Sequence, residues 1–181
     1  MSDAGRHVAL LRGINVGKAK RVAMADLRTL VLDLGYTDVQ TLLNSGNVVF
    51  TVPRTARGDH GARIEKAIAT KLKVTSRVTV LSAAEVAEIV KENPLGKAAD
   101  DASRLLVTVL TDPKERDTYR PLTQQRWTPE AFALGRRVLY AWCPNGQIDS
   151  PLAAAIGKAL GDRGTTRNWA TMMKLHGLVC E

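Results

Sequence analysis

The amino-acid sequence predicts an α+β chain built on two antiparallel sheets, and three observations carry that reading. Short β-rich runs such as His7 to Arg12, Val48 to Val52 and Leu105 to Leu110 recur between segments whose apolar residues repeat every 3.6 positions. In each half a pair of these runs flanks turn chemistry, Asn44-Ser45-Gly46-Asn47 in the first and Gly135 in the second. The order of elements is also the same in both halves, without visible sequence repetition.

His7 to Arg12 (HVALLR) is an apolar run that ends at Gly13 and reads as a central strand. From Met24 the stripe Met24, Leu27, Val31 and Leu34 predicts a helix that stops at Gly35, where a C-terminal cap is expected. Val39 to Leu43 and Val48 to Val52 form a hairpin, because the Asn and Gly residues between them tolerate positive φ, and Pro53 ends the second strand. Ala62 to Leu72 places Ile64, Ala67, Ile68 and Leu72 on one helical face, and Arg77 to Leu81 then alternates as a strand. The order β-α-β-β-α-β is the split-βαβ, ferredoxin-like arrangement (α-β plait), two helices over one face of an antiparallel sheet.

Ser82 with Glu85 is a capping-box pair that starts a further helix, ending near Asn93-Pro94. The polar stretch from Gly96 to Ser103 marks the boundary. Beyond it come a strand at Leu105 to Leu110, a helix at Lys114 to Gln125, a hairpin from Ala131 to Leu134 and Val138 to Trp142, and an Ala-rich helix at Leu152 to Leu160. For the last piece two readings stay open. Thr165 or Thr166 caps a helix carrying Trp169, Met172, Met173 and Leu175, or a strand stands there as the repeat demands. The expected organisation is two tandem ferredoxin-like modules, 1–82 and 104–181, the second with a C-terminal helix, joined by a connecting helix and linker over 83–103.

At 181 residues with 45% hydrophobic and 24% charged content, the composition is that of a globular protein and excludes collagenous, coiled-coil and disordered classes. No stretch approaches the roughly 20 apolar residues of a membrane span, and the start of the chain lacks a signal-peptide core, so a cytoplasmic protein without a membrane partner is expected. Cys143 and Cys180 are too few for a disulfide framework and lack the spaced partners of a zinc site; no metal and no cofactor is implied. The formal charge of +8 favours an anionic partner, a phosphate-bearing small molecule or nucleic acid. Only 4% of the chain is aromatic, which counts against base-stacking platforms. Oligomeric state is not legible.

Three segments are candidate walls of one site. In the first loop Gly13 and Gly17 allow close backbone approach, while Arg12, Lys18, Lys20 and Arg21 supply cationic donors just before the helix at Met24. The glycine spacing is neither a dinucleotide fingerprint nor a Walker loop. Asn15 either braces the loop through backbone hydrogen bonds or donates to a ligand. The second wall is the turn with Asn44, Ser45 and Asn47, whose residue types also suit plain turn chemistry, and where no neighbouring His would activate the serine. The third is the helix start with Arg167, Asn168 and Trp169, where an arginine and a ring could meet an anion, against the alternative that Trp169 is core with Met172 and Met173. His7, His60 and His176 form no motif, Asp26 and Asp33 read as a solvated helix face, and no catalytic set can be read from the order of residues.

Leu11 to Gly17 (LRGINVG), Met24 to Arg28, Asn44 to Phe50, Pro144-Asn145-Gly146 and Thr166 to Trp169 resemble, in order, the signature blocks of bacterial domain-of-unknown-function family number 1697. The resemblance implies paired ferredoxin-like domains and a cytoplasmic bacterial protein, with no activity or catalytic residue to carry over. Lys18 stands where the pattern has a second glycine, Leu43-Asn44 where it has an aliphatic-Gln pair, and Ser150-Pro151-Leu152 where it has Ser-Lys-Leu. The leading functional expectation is an anion-binding protein whose three walls converge. Nucleic-acid binding through the basic surface, and a non-catalytic structural or interaction module, are the alternatives; whether the chain is an enzyme stays open.

Overall fold

A computed structural model describes residues 4–180. The first half runs β1 (Gly5–Leu11), α1 (Met24–Asp33), β2 (Thr37–Leu42), β3 (Asn47–Val52), α2 (His60–Ala67), β4 (Val78–Ser82) and α3 (Ala83–Lys91). The second runs β5 (Leu105–Leu110), a 3₁₀ segment (Pro113–Gln124), β6 (Ala131–Leu134), β7 (Val138–Trp142), α4 (Pro151–Leu160), β8 (Gly164–Asn168) and α5 (Trp169–Val179). The two sheets are antiparallel, with orders β2-β3-β1-β4 and β6-β7-β5-β8. These are two tandem ferredoxin-like modules in an α+β chain, each followed by one extra helix. The chain clusters into two compact units that divide between Val86 and Ala87 and again between Lys174 and Leu175, so the last turns of α5 belong to the first unit.

In the first unit, alternation along the strands directs Ala9, Leu11, Val48, Phe50 and Val52 toward Leu27, Leu30 and Val31 of α1 and Ile64 of α2. The residues of opposite parity, Val8, Leu10 and Val49, are also 0% exposed, so neither face of the central strands is open to solvent. At the edge of that second face Arg6 Nη2 donates to Leu178 O at 2.9 Å, holding the last turn of α5 there. In the second unit Leu106, Leu110, Leu139 and Ala141 pack with Tyr119, Leu152, Ile156 and Leu160. Val107, Val109 and Tyr140, of the other parity, are buried as well.

Local chemistry explains the element ends. Gly35 takes φ +90° after α1, and Asp59 Oδ1 accepts from Ala62 N at the start of α2. Ser82 and Glu85 form the expected capping box, with Ser82 N donating to Glu85 Oε2 and Glu85 N to Ser82 Oγ. Ser150 caps α4 through Ala153 N, with Pro151 in the first turn. Two helices depart from expectation. After Ala67 the chain widens into a π-helical stretch, Ile68–Leu72, closed by left-handed Lys73. The helix expected at Lys114 to Gln125 forms as 3₁₀ turns, since internal Pro121 has no N–H for an α-helical bond and its ring crowds the preceding turn.

Candidate functional site

Leu11 leaves β1 bonded through its N–H to Gly46 O, and Arg12 N donates to Arg77 O, so the first loop begins with its backbone held on two sides. Ser76 Oγ donates to Arg12 O at 2.9 Å. Gly13 and Gly17 adopt φ +63° and +59°, which glycine accepts without penalty. Asn15 also takes a left-handed conformation, φ 54°, one that Asn tolerates better than most residues. Its side chain then closes the loop. Nδ2 donates to Val22 O at 2.9 Å and to Asn44 O at 2.7 Å, while Oδ1 accepts from Val22 N at 2.9 Å. Asn15 N adds a bond to Lys20 O at 3.0 Å. Both amide protons are thereby consumed, and of its two expected roles Asn15 fills the bracing one.

The Asn44–Asn47 turn meets the first loop through the Asn44 carbonyl. Asn47 is fully buried, and its Nδ2 donates to Leu42 O and to Ser45 Oγ, so Asn47 and Ser45 are engaged in shaping the turn. Gly46, at φ +82°, lies so close to the loop that a Cβ there would stand 2.7 Å from Leu11 Cβ and 2.8 Å from Ile14 Cδ1. Two of the three expected walls are therefore in contact. Outward from this joint stand the exposed side chains of Lys18, Lys20 and Arg21, which form no ion pair among the described residues. The N-cap of the following helix α1 is Ala23, which offers no capping side chain.

The third segment is not a helix start as far as Asn168. Thr165, Thr166 and Arg167 lie in β8, hydrogen-bonded along β5 with Thr166 opposite Thr108 and Arg167 opposite Val107. The cap expected of Thr165 or Thr166 is supplied instead by Asn168, whose Oδ1 accepts from Thr171 N at 2.9 Å. Arg167 is 8% exposed, and its Nη1 donates to Thr165 Oγ1 and Thr166 O. Burial pulls its guanidinium down to about 10. Trp169 is half-buried at the first position of α5. This segment lies in the second unit, whereas the loop and the turn lie in the first.

Residues 5–140 match the model of the family described as "Protein of unknown function (DUF1697)". The chain belongs to that family. The matched span of this family member holds the first loop and the Asn44–Asn47 turn, and ends before β8. A conserved bacterial protein from Streptococcus pneumoniae has the same fold, with a TM-score of 0.74 over 97% of this chain and 99% of that one at 22% identity. No curated protein matches the chain.

Other groupings emerge only in the folded chain. His7 and His60 lie with ring centroids 6.0 Å apart, and Tyr36 Oη is 2.8 Å from His60 Nδ1. All three are buried, which makes them an interior polar cluster rather than an open site. Cys143 is buried beside Ser150 Oγ at 3.3 Å, and burial pushes its thiol up, away from the thiolate a nucleophile needs. Asp33 pairs with Lys71 at 3.2 Å on the surface. Among the described residues no three His, Cys, Asp or Glu side chains are placed to hold a metal ion, and no helix is long and apolar enough to cross a membrane.

Proposed function

We propose that the chain binds a phosphate-bearing small molecule, or another compact anion, at the joint of the first loop and the Asn44–Asn47 turn. The observation that carries this reading is a stiff loop bearing unneutralised charge. Lys18, Lys20 and Arg21 project within four residues from a backbone braced by Asn15, without carboxylate partners among the described residues. A braced loop holds like charges together before the ligand arrives, and the anion relieves their repulsion. Gly13 and Gly17 leave backbone space beside them. Arg167 and Asn168 are assigned no ligand contact in this reading, since the strand and the α5 cap already use them. The free thiols of Cys143 and Cys180 accord with a reducing, cytoplasmic setting, and the bacterial neighbour of like fold with a bacterial one.

Thermal-shift titration with pyrophosphate, nucleotides and sugar phosphates tests the proposal, because a ligand of the folded state raises apparent stability by mass action. The expected result is stabilisation that fades with added salt and disappears in the triple variant Lys18→Gln, Lys20→Asn, Arg21→Gln; asparagine suits the left-handed backbone at position 20. A flat response to every anion at low salt, or a response that survives in the variant, refutes it.

The nucleic-acid reading is weaker on one observation. Sheet-platform recognition in this fold needs an open sheet face with aromatics, and Val8, Leu10 and Val49 are aliphatic and buried. Binding through the loop cations alone would be sequence-independent and steeply salt-dependent, which a heparin column at low salt reads directly.

A further inference from the structure

We propose, given that the first loop is the anion site, that the anion it takes is a phosphate ester whose organic body is apolar rather than a sugar. The joint of loop and turn combines exposed aliphatic side chains, a strained backbone that holds one of them, and a charge excess the size of a phosphate monoester.

Val16 is 70% exposed and Leu43 52% exposed. Each adjoins one end of the bond that joins the two segments: Val16 follows Asn15, and Leu43 precedes Asn44, whose carbonyl accepts from Asn15 Nδ2 at 2.7 Å. The other large apolar residues exposed among the described ones, Leu32, Ile148 and Met173, each lie on a segment of their own, the ordinary scatter of a protein surface. Leu43 has φ 58°, a left-handed conformation that strains leucine and that glycine or asparagine adopts more easily. It is held there from both sides, since Leu42 O accepts from Asn47 Nδ2 at 2.8 Å and Asn44 O from Asn15. Strain kept at an exposed aliphatic residue points to a contact outside the fold. Beside Val16, a Cβ at Gly17 would meet nothing within 4 Å, so the space there is open.

The charge around these residues stays positive when every neighbour is counted. Arg77, whose carbonyl accepts from Arg12 N, is matched by Glu65 at 3.3 Å. From Gly13 to Leu27 the chain sets Lys18, Lys20 and Arg21 against Asp26 alone, an excess of two positive charges before Arg12 is added. A phosphate monoester carries about −1.5 to −2 at neutral pH and balances that excess. Its apolar body then removes Val16 and Leu43 from water while the phosphate meets the loop cations.

The test is calorimetric titration of the full chain with orthophosphate, glycerol phosphate and hexyl phosphate, with hexanol as the uncharged counterpart. Hexyl phosphate is expected to bind about tenfold tighter than glycerol phosphate, from partial cover of two aliphatic side chains, and hexanol not to bind. In the double variant Val16→Thr, Leu43→Asn the two esters should bind alike; asparagine suits the left-handed backbone at position 43. In the triple variant Lys18→Gln, Lys20→Asn, Arg21→Gln both esters should lose binding. Equal affinity for the two esters in the parent, or an advantage of hexyl phosphate that survives the double variant, overturns the apolar body and leaves the anion site standing. Failure of orthophosphate and both esters to bind overturns the anion site with it. Sedimentation with phosphatidylcholine vesicles containing phosphatidic acid distinguishes the sources of the ester: retention that both variants lose assigns a lipid headgroup, and hexyl phosphate binding without retention assigns a soluble ester. Unchanged amide NMR spectra before titration show that the variants are folded.

Discussion

Asn15 Nδ2 donates to the carbonyl of Asn44 at 2.7 Å, a bond across 29 positions that ties the first loop of the chain to the β2–β3 turn. The same side chain closes its own loop onto Val22 in both directions. Loop and turn are thereby braced against each other, with three exposed cations, Lys18, Lys20 and Arg21, in the loop. The anion-binding proposal depends on that rigidity, because flexible lysines would disperse and hold an anion no better than solvent.

Replacing Asn15 separates the bonds from the backbone. Asn15→Gly keeps the left-handed conformation and loses the side-chain bonds, with an expected destabilisation of about 1–3 kcal/mol. Asn15→Ala adds the left-handed penalty and should be worse by about 1 kcal/mol more. Urea unfolding of both variants measures the difference; equal midpoints would show that φ at position 15 carries no strain.

Gly46→Ala tests the fit of the turn against the loop. Its Cβ would overlap Leu11 and Ile14, and φ +82° is unfavourable for alanine. About 2–4 kcal/mol of destabilisation is expected from overpacking and backbone together. Thermal unfolding should record this as a clear drop in Tm, whereas Gly13→Ala, with open space around its Cβ position, should lose only the backbone part.

The surface cations should be irrelevant to stability. The triple variant Lys18→Gln, Lys20→Asn, Arg21→Gln is expected to unfold within about 0.5 kcal/mol of the parent, since exposed side chains that form no ion pair among the described residues contribute little. Denaturant unfolding beside the anion titration then separates a lost binding surface from a damaged fold.

Alkaline pH should destabilise the second unit through Tyr140. Burial first, and then the nearby Glu92 and Glu88 carboxylates, raise its phenol above the ordinary 10.0. The folded state therefore holds its proton where the unfolded chain has released it. The resulting stability is fully present below pH 10 and is lost as pH climbs above that value toward the folded one. Tyr140→Phe should flatten this decline while lowering stability at neutral pH by about 1 kcal/mol through the lost bond to Ile89 O. A decline of unchanged steepness in the variant would assign it to other groups.

The two thiols should differ in reactivity. Cys180 is exposed and should react with a thiol reagent at once, while buried Cys143, with its raised thiol, should react only as the second unit opens. The rate at position 143 thus reports local opening, and fast modification at both positions would contradict the packing.

Much of the fold is legible in the sequence because its signals are local. The Met24–Leu34 stripe, the Asn-Ser-Gly-Asn turn and the Ser82–Glu85 box each act within a few residues, and the structure has the helix, the hairpin and the cap where these signals stand. The chemistry of Asn15 was legible in part, since an amide between glycines implies bracing, although its partner Asn44 was not. What tertiary structure alone decided was long-range. Arg167 read as a residue of a helix start becomes a buried strand residue because β8 pairs with β5, and the value of that register does not appear in the Thr-Thr-Arg-Asn stretch itself. The same holds for His7 beside His60 and for the second buried face of β1. Local periodicity and turn chemistry specify which elements form; which side chains meet depends on sheet order and packing, whose energies arise between residues far apart in the chain.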